Sequence, residues 1–457
     1  MSAIKENLER ELKLRATASF ELPELGGDPI ESRVFVSTYH DTRGHRLARH
    51  GITLRHRVEN GKGLWQLKLP RGAARLELEA PGPAAEPPEE LASLLAASVR
   101  HESLVPVARL RTRRTGVRAD GAEVVHDSVA VLDHQKVTRA FDELEVELLE
   151  GDEKTLRRIE KALRKAGAGD PERRPKLFRA LDLEFEPDGA RLAGAPPAEV
   201  LRSQLRVQYG RLLAHDPGTR LGDPEELHRL RVATRRLRAF LRAGLPLLDP
   251  AWAEPLRAEL KWLGGALGPV RDLDVLIGHL EPELERLGPD EDGAKDVLSA
   301  LRRERTGARR TLRRALASDR YFALLDTLEE PAPSLAETRT LRKIQKQEHR
   351  KLRRAVAGLT AGSADAALHA ARIRVKRARY AAELDGDAAY VKAAKVLQDV
   401  LGEHQDAVVA ETWLRDLARA GPSCALAAGR LVEREVERAR HARAGWRGAW
   451  KALAKAA

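Results

Sequence analysis

The sequence predicts a multidomain chain: an N-terminal α+β part built on an antiparallel β-barrel with flanking helices, then an all-α part of two similar halves. Three observations carry this. Residues 1–190 hold 32 Lys+Arg against 33 Asp+Glu and read as short alternating runs broken by Gly and Pro. Residues 191–457 hold the other 49 basic and 36 acidic residues, in long Ala/Leu/Arg/Glu-rich stretches of helical spacing, so the net charge of +12 arises wholly there. Within this second part, three blocks of sequence recur in the same order.

The first part is a series of strands whose polar faces are organised. Glu9-Arg10-Glu11-Leu12-Lys13-Leu14 puts Glu9, Glu11 and Lys13 on one face and leucines on the other. Leu54-Arg55-His56-Arg57, Trp65-Gln66-Leu67-Lys68-Leu69, Arg75-Leu76-Glu77-Leu78-Glu79, Arg109-Leu110-Arg111-Thr112-Arg113 and Glu143-Leu144-Glu145-Val146-Glu147 repeat the scheme. One such strand reads most simply as a solvated sheet face. Across six, the polar positions are almost purely carboxylates on some strands and cations on others. A closed antiparallel barrel turns such faces inward, with the leucine faces covered by helices. A lumen of this kind holds hard cations on its carboxylates and phosphate oxygens on Arg and Lys, and a highly charged ligand balances the rest.

These residues resemble the CYTH family, the triphosphate tunnel metalloenzymes. Glu9-x-Glu11-x-Lys13 matches its ExExK signature. Tyr39-His40-Asp41-Thr42, Gly51 to Arg57, Trp65 to Pro70, Arg75-x-Glu77-x-Glu79 and Glu143-x-Glu145-x-Glu147 match its later strands in order, over about residues 1–185. The resemblance implies an eight-stranded tunnel that hydrolyses triphosphates with Mg²⁺ or Mn²⁺. It assigns the metals to Glu9, Glu11, Glu145, Glu147 and Asp127. It assigns catalysis to Glu9, Glu11 and Lys13. It assigns the triphosphate to Lys13, Arg55, Arg57, Lys68, Arg75, Arg111, Arg113 and Lys176. The family's Ser-Lys pair is Pro175-Lys176 here, and His40 replaces an aromatic residue. The chemistry stands without the name: phosphoryl transfer needs positioning and charge stabilisation more than a covalent nucleophile. Aromatic residues make up only 4% of the chain, which favours inorganic triphosphate over a nucleotide that needs a base pocket.

Pro187 to Pro197 reads as a linker, giving domains at 1–188 and 199–457 with 189–198 between them. The helical part divides near Pro331-Ala332-Pro333-Ser334 into halves of about 199–330 and 336–457, and 288–293 reads as an exposed loop. His228-x-x-Arg231-x-x-x-Arg235-Arg236-x-Arg238 recurs as His369-x-x-Arg372-x-x-x-Lys376-Arg377-x-Arg379. Leu267-Gly268-x-x-x-Asp272 recurs as Leu401-Gly402-x-x-x-Asp406. On a helix, His228, Arg231, Arg235 and Arg238 fall in an arc of roughly 80°, opposite Leu230, Leu237, Phe240 and Leu241. A solvated face normally intersperses Glu at i±4, and neither block contains one. Two stripes of one sign facing a common groove read as a polyanion cradle. The blocks resemble the CHAD family, the conserved-histidine α-helical domain, over about 195–455. That resemblance implies two pseudo-symmetric helical bundles that bind inorganic polyphosphate through His228, Arg231, Arg235, Arg238, His369, Arg372, Lys376 and Arg379.

A lone Cys424 excludes a disulfide framework and a Cys-rich zinc site. No apolar run reaches the roughly 18 residues of a membrane span, and the N-terminus lacks an apolar signal, so a soluble cytoplasmic protein with no membrane partner is expected. A Gly-rich G-x-x-x-x-G-K-[ST] loop is absent. The expected partners are tripolyphosphate and inorganic polyphosphate, with association to polyphosphate granules. Few base-stacking aromatics argue against nucleic acid. A nucleotide or thiamine triphosphate enzyme, and a non-catalytic polyphosphate-binding protein, stay open as alternatives.

Overall fold

A computed structural model describes residues 4–17, 19–72, 74–172, 174–184, 194–288, 291–333 and 339–457. The chain divides into two compact units, Met1–Pro187 and Asp188–Ala457. Residues 189–193 of the expected linker, 289–290 of the expected loop and Ser334 of the expected junction lie outside the described residues. Of that expected loop Gly288 lies outside any helix, but from Glu291 the chain is already helical.

The first unit is one curled antiparallel sheet of nine strands: β1 (Lys5–Glu9), β2 (Glu11–Ala16), β3 (Asp28–Asp41), β4 (Thr53–Glu59), β5 (Lys62–Arg71), β6 (Ala74–Ala80), β7 (Val105–Ala119), β8 (Ala122–Asp133) and β9 (Lys136–Leu148). Their order is β1-β6-β5-β4-β3-β7-β8-β9-β2. The expected eight strands become nine because the first one breaks at Arg10, whose carbonyl accepts from Leu148 N at 2.9 Å. Before the break Glu9 pairs with Arg75 of β6, and after it Glu11 pairs with Glu147 of β9. The two ends of the sheet therefore meet on adjacent stretches of one chain segment. Asn60-Gly61 and Asp120-Gly121 all have positive φ, as two-residue hairpin turns require.

Among the described residues, five helices dress this sheet: α1 (Arg46–Arg49), α2 (Glu89–Leu94), α3 (Ala96–Val99), α4 (Glu153–Lys165) and α5 (Lys176–Leu181). Ile159 and Leu163 of α4 pack on Leu14, Val124, Leu144 and Val146, the outward residues of β2, β8 and β9. Period 2 then sends Glu11, Lys13, Glu143, Glu145 and Glu147 inward. Asp41 is a capping residue: its carboxylate accepts from Leu47 N and Ala48 N at 2.9 and 3.0 Å, holding α1. At one end of the lumen the inner faces turn apolar. There Leu110 and Val129 pack with Leu177 and Phe178 of α5.

The second unit is helical: α6 (Pro197–Leu221), α7 (Pro224–Ala243), α8 (Pro250–Glu285), α9 (Glu291–Leu316), α10 (Asp319–Glu329), α11 (Leu341–Ala357), α12 (Asp365–Asp385), α13 (Ala388–Ala420) and α14 (Ala425–Lys455). Asp223 caps α7, and Pro224 follows at its first turn. The same neighbours recur in both halves: α6 on α7, α7 on α8 and α8 on α9, then α11 on α12, α12 on α13 and α13 on α14. The halves are not separate bundles. Leu280, Leu284, Leu287, Val297 and Leu301 from the first share one core with Leu414, Ala427, Ala428, Leu431 and Val432 from the second. None of the described helices is long and apolar enough to cross a membrane.

Candidate functional site

The lumen encloses a cavity of about 190 Å³. Of the residues expected there, Glu9, Glu11, Lys13, Arg55, Arg57, Lys68, Arg75, Glu145, Glu147 and Lys176 line it. Arg111 and Arg113 do not: both are exposed on the outer face of β7, and Arg114 takes the inner position. Register is the reason. Arg114 stands between Arg33 of β3 and Asp127 of β8, and directly opposed residues share a face. Asp127 lies in the wall beneath the cavity, fully buried, where Arg114 grips it through two bonds of 2.7 Å. Arg33, Tyr39, Gln66, Glu77, Glu79, Arg114 and Glu123 also line the cavity and were not foreseen as site residues. For Glu77 and Glu79 the signal was present, in the alternation with Arg75. His40 lies outside, packed on Trp65 with ring centroids 4.8 Å apart, so that departure from the family pattern leaves the lumen untouched.

The carboxylates fall into two electrostatic groups. In the first, Glu9 is 5% exposed, with Lys68 Nζ 2.6 Å away and reaching Glu77 at 3.6 Å. Burial, then the neighbouring Glu77, push the Glu9 pKa up to about 7. Burial and the Glu9 charge raise Glu147 as well. These groups repel one another in their charged forms, and a divalent cation among them removes that penalty. Glu9, Glu77 and Glu147 thus line the cavity as carboxylates that share Lys68 rather than each having its own cation, whereas the described carboxylates whose oxygens all lie within 4.8 Å of one another are Asp127, Glu143 and Glu145.

The second group is saturated by the chain itself. Lys13 lies 3.4 Å from Glu11 and 3.0 Å from Glu145. Lys176 lies 2.7, 2.9 and 2.7 Å from Asp127, Glu143 and Glu145. Burial opposes the charged form of Glu145, but Lys13, Lys176 and Arg114 outweigh it and hold its pKa well below the usual range. Asp127 is lowered in the same way, burial being overcome by Lys176 and Arg114. Facing the carboxylates, Arg55 is held by Gln66 at 2.8 Å and Tyr39 at 3.3 Å, and Arg57 stacks 3.9 Å over Phe35. Fixed guanidiniums of this kind suit multidentate phosphate oxygens.

In the second unit, α7 and α12 pack together, and the cations of both stripes share one field. Burial, then Arg235, Arg372 and Arg231, lower Lys376 to about 7. Burial and Arg271 lower His228. His369 Nδ1 bonds Gln405 Oε1 at 2.7 Å. The repeated Leu-Gly-x-x-x-Asp block has a role here. Asp272 holds Arg231 at 3.0 Å, and a Cβ at Gly402 would lie 3.3 Å from Arg372 Nη2, so glycine leaves room for that guanidinium. Arg238 is exposed beside Arg235. Arg379 turns aside, 3.5 Å from Glu383 and 4.7 Å over the Tyr380 ring. Glu383 lies just past the block and also takes Arg236, at 3.3 Å.

A curled sheet around a charged lumen, followed by a basic helical body, defines a two-domain class that comparison with known proteins identifies. Residues 7–171 match the CYTH domain and residues 203–415 the CHAD domain. The uncharacterized protein Rv2226 of Mycobacterium tuberculosis is 33% identical over 468 aligned positions, which cover 92% of this chain and 90% of that one. Two solved structures are similar to part of it. PptA from Streptomyces chartreusis is 27% identical, covers 56% of this chain and 100% of its own, and has a TM-score of 0.49. The CHAD domain from the plant Ricinus communis is 28% identical, covers 58% and 94%, and has a TM-score of 0.49. The chain belongs to the tandem CYTH–CHAD family.

Proposed function

We propose that the first unit hydrolyses inorganic triphosphate with Mg²⁺ or Mn²⁺ and that the second binds inorganic polyphosphate, in the cytoplasm and at polyphosphate granules. The observation that carries the first half is the division of the cavity between Glu9 and Glu147, each raised by burial and by a neighbouring carboxylate, and fixed cations. CYTH-family enzymes are metal-dependent, which supports it. Glu9, Glu77 and Glu147 would hold the metal, which when bound polarises phosphate oxygens and lowers the pKa of water. Arg33, Arg55, Arg57, Arg75 and Arg114 bind and orient the phosphoryl groups, and Lys13 stays protonated because Glu11 and Glu145 offset its burial. Among the described residues lining the cavity, Tyr39 is the only aromatic, which favours a substrate without a base. The second half rests on the merging of the two cationic stripes.

The deciding assay is phosphate release from tripolyphosphate, ATP and thiamine triphosphate, with and without Mg²⁺ or Mn²⁺. Metal-dependent release from tripolyphosphate above the other two is the expected result, and no release from any of them would overturn the reading. Two further outcomes follow. Arg111→Ala with Arg113→Ala should leave kcat/KM within about twofold, because both side chains face solvent. Arg114→Ala should lower it by about tenfold or more. Metal affinity should also depend on pH. The Glu9 pKa is about 7, so a proton occupies the site below that value and must leave as the ion binds. The apparent Mn²⁺ affinity, read by calorimetry, should fall about tenfold per pH unit below 7 and level off above it. A flat profile from pH 5 to 8 would exclude Glu9 as a ligand.

A further inference from the structure

We propose that Lys176 is a built-in cation that closes the Asp127, Glu143 and Glu145 carboxylate cluster to divalent metal, so that before substrate arrives the chain holds one ion, at the Glu9, Glu77 and Glu147 carboxylates of the proposed function, rather than two. This rests on the metal-dependent reading above and adds the number and place of the ions. Asp127, Glu143 and Glu145 offer oxygens that all lie within 4.8 Å of one another, a spacing that can hold a metal ion. By sequence pattern alone they resemble the cavity carboxylates Glu9, Glu77 and Glu147.

They differ in what already sits among them. Lys176 Nζ lies 2.7, 2.9 and 2.7 Å from the three carboxylates, the place a metal ion would take. Its side chain is 6% exposed, and those of Asp127 and Glu143 are fully buried. The ammonium cannot easily swing clear. It opens α5, whose next two residues, Leu177 and Phe178, are locked in the apolar end of the lumen with Leu110 and Val129. A metal ion entering here must expel a buried charge from three ion pairs, a costly exchange. By contrast, Lys68 is 18% exposed and lies 2.6 Å from Glu9 and 3.6 Å from Glu77.

The test is a Mn²⁺ titration of the full chain at pH 8 without substrate, counting bound ions by electron paramagnetic resonance. Wild type should bind one ion, Asp127→Asn one, and Lys176→Met two. The variant leaves Asp127 with Arg114, Glu143 with Arg179 and Glu145 with Lys13, so each carboxylate keeps a partner. Two ions in wild type and one in Asp127→Asn would overturn the inference. So would a single ion in a folded Lys176→Met chain. If that variant does not fold, Asp127→Asn and Glu143→Gln decide: an unchanged count supports the inference and a lost ion overturns it. No ion in wild type but one in Lys176→Met would uphold the exclusion and instead overturn the metal site of the proposed function.

Discussion

Replacing Glu9 and Glu147 together by Gln should lower metal-dependent tripolyphosphate hydrolysis by about 10³-fold, or roughly 4 kcal/mol of transition-state stabilisation. The same change should make the metal-free protein more stable above pH 7. The sign follows from the shift. Glu9 has a folded pKa of about 7 against 4.5 for the free side chain, so its neutral form is the one the fold favours. Stability from this group is complete below about 4.5 and is lost as pH rises through 7. Gln mimics the neutral form and restores up to about 3 kcal/mol at pH 8. Thermal melts of the metal-free chain should therefore show a higher Tm for the inactive variant at pH 8 and little difference at pH 5. An inactive variant that is also less stable at pH 8 would mean that these carboxylates hold the sheet together. Glu11 should behave in the opposite way, because Lys13 and other cations outweigh its burial and keep its pKa below the usual value. Glu11→Gln should destabilise.

Charge reversal of Arg231, Arg235, Arg372 and Lys376 to Glu should weaken binding of long-chain polyphosphate by at least about 10²-fold while sparing phosphate release from tripolyphosphate. The argument is additive repulsion. In the free protein burial and the neighbouring arginines already lower Arg231, Arg372 and Lys376, and Lys376 is driven from 10.5 to about 7. A bound polyanion reverses that penalty, so Lys376 takes up a proton on binding above pH 7. Affinity should rise as pH falls from 9 to 7 and flatten below, and Lys376→Arg should remove the trend. Salt is the second readout. By analogy with counterion release from single strands, each neutralised contact should reduce the salt slope by about 0.7. Binding that survives the fourfold reversal would place the polyanion elsewhere on the helical unit.

Much of this was legible in the sequence. The alternations at Glu9 to Lys13 and at Glu143 to Glu147 carry their own parity, since, apart from Arg10 at the break between β1 and β2, only one face of each strand is charged. The duplicated His blocks likewise mark one face of α7 and one of α12. The reading failed where both faces offered the same chemistry. On β7, Arg109, Arg111 and Arg113 alternate, but Arg114 follows on the other face, and nothing local distinguishes them. The bond partner Asp127, thirteen residues further on, settles the matter. Arg379 also meets a partner that the stripe does not show, Glu383, one turn past the block.

By itself the sequence determined which residues carry charge, that they alternate with apolar residues at strand or helix period, and that the chain is a CYTH part followed by a CHAD part. Those properties are set within a few residues, by pleat and helix pitch. The tertiary structure decided which cation neutralises which carboxylate. Lys176 reaches Asp127, Glu143 and Glu145 from a helix beyond the last strand, while Glu9 and Glu147 are left to repel each other across the seam at Arg10. Burial makes that pairing decisive, because in a low-dielectric lumen a carboxylate matched by cations stays charged, while Glu9 and Glu77, which share Lys68, carry charge that a metal ion would balance.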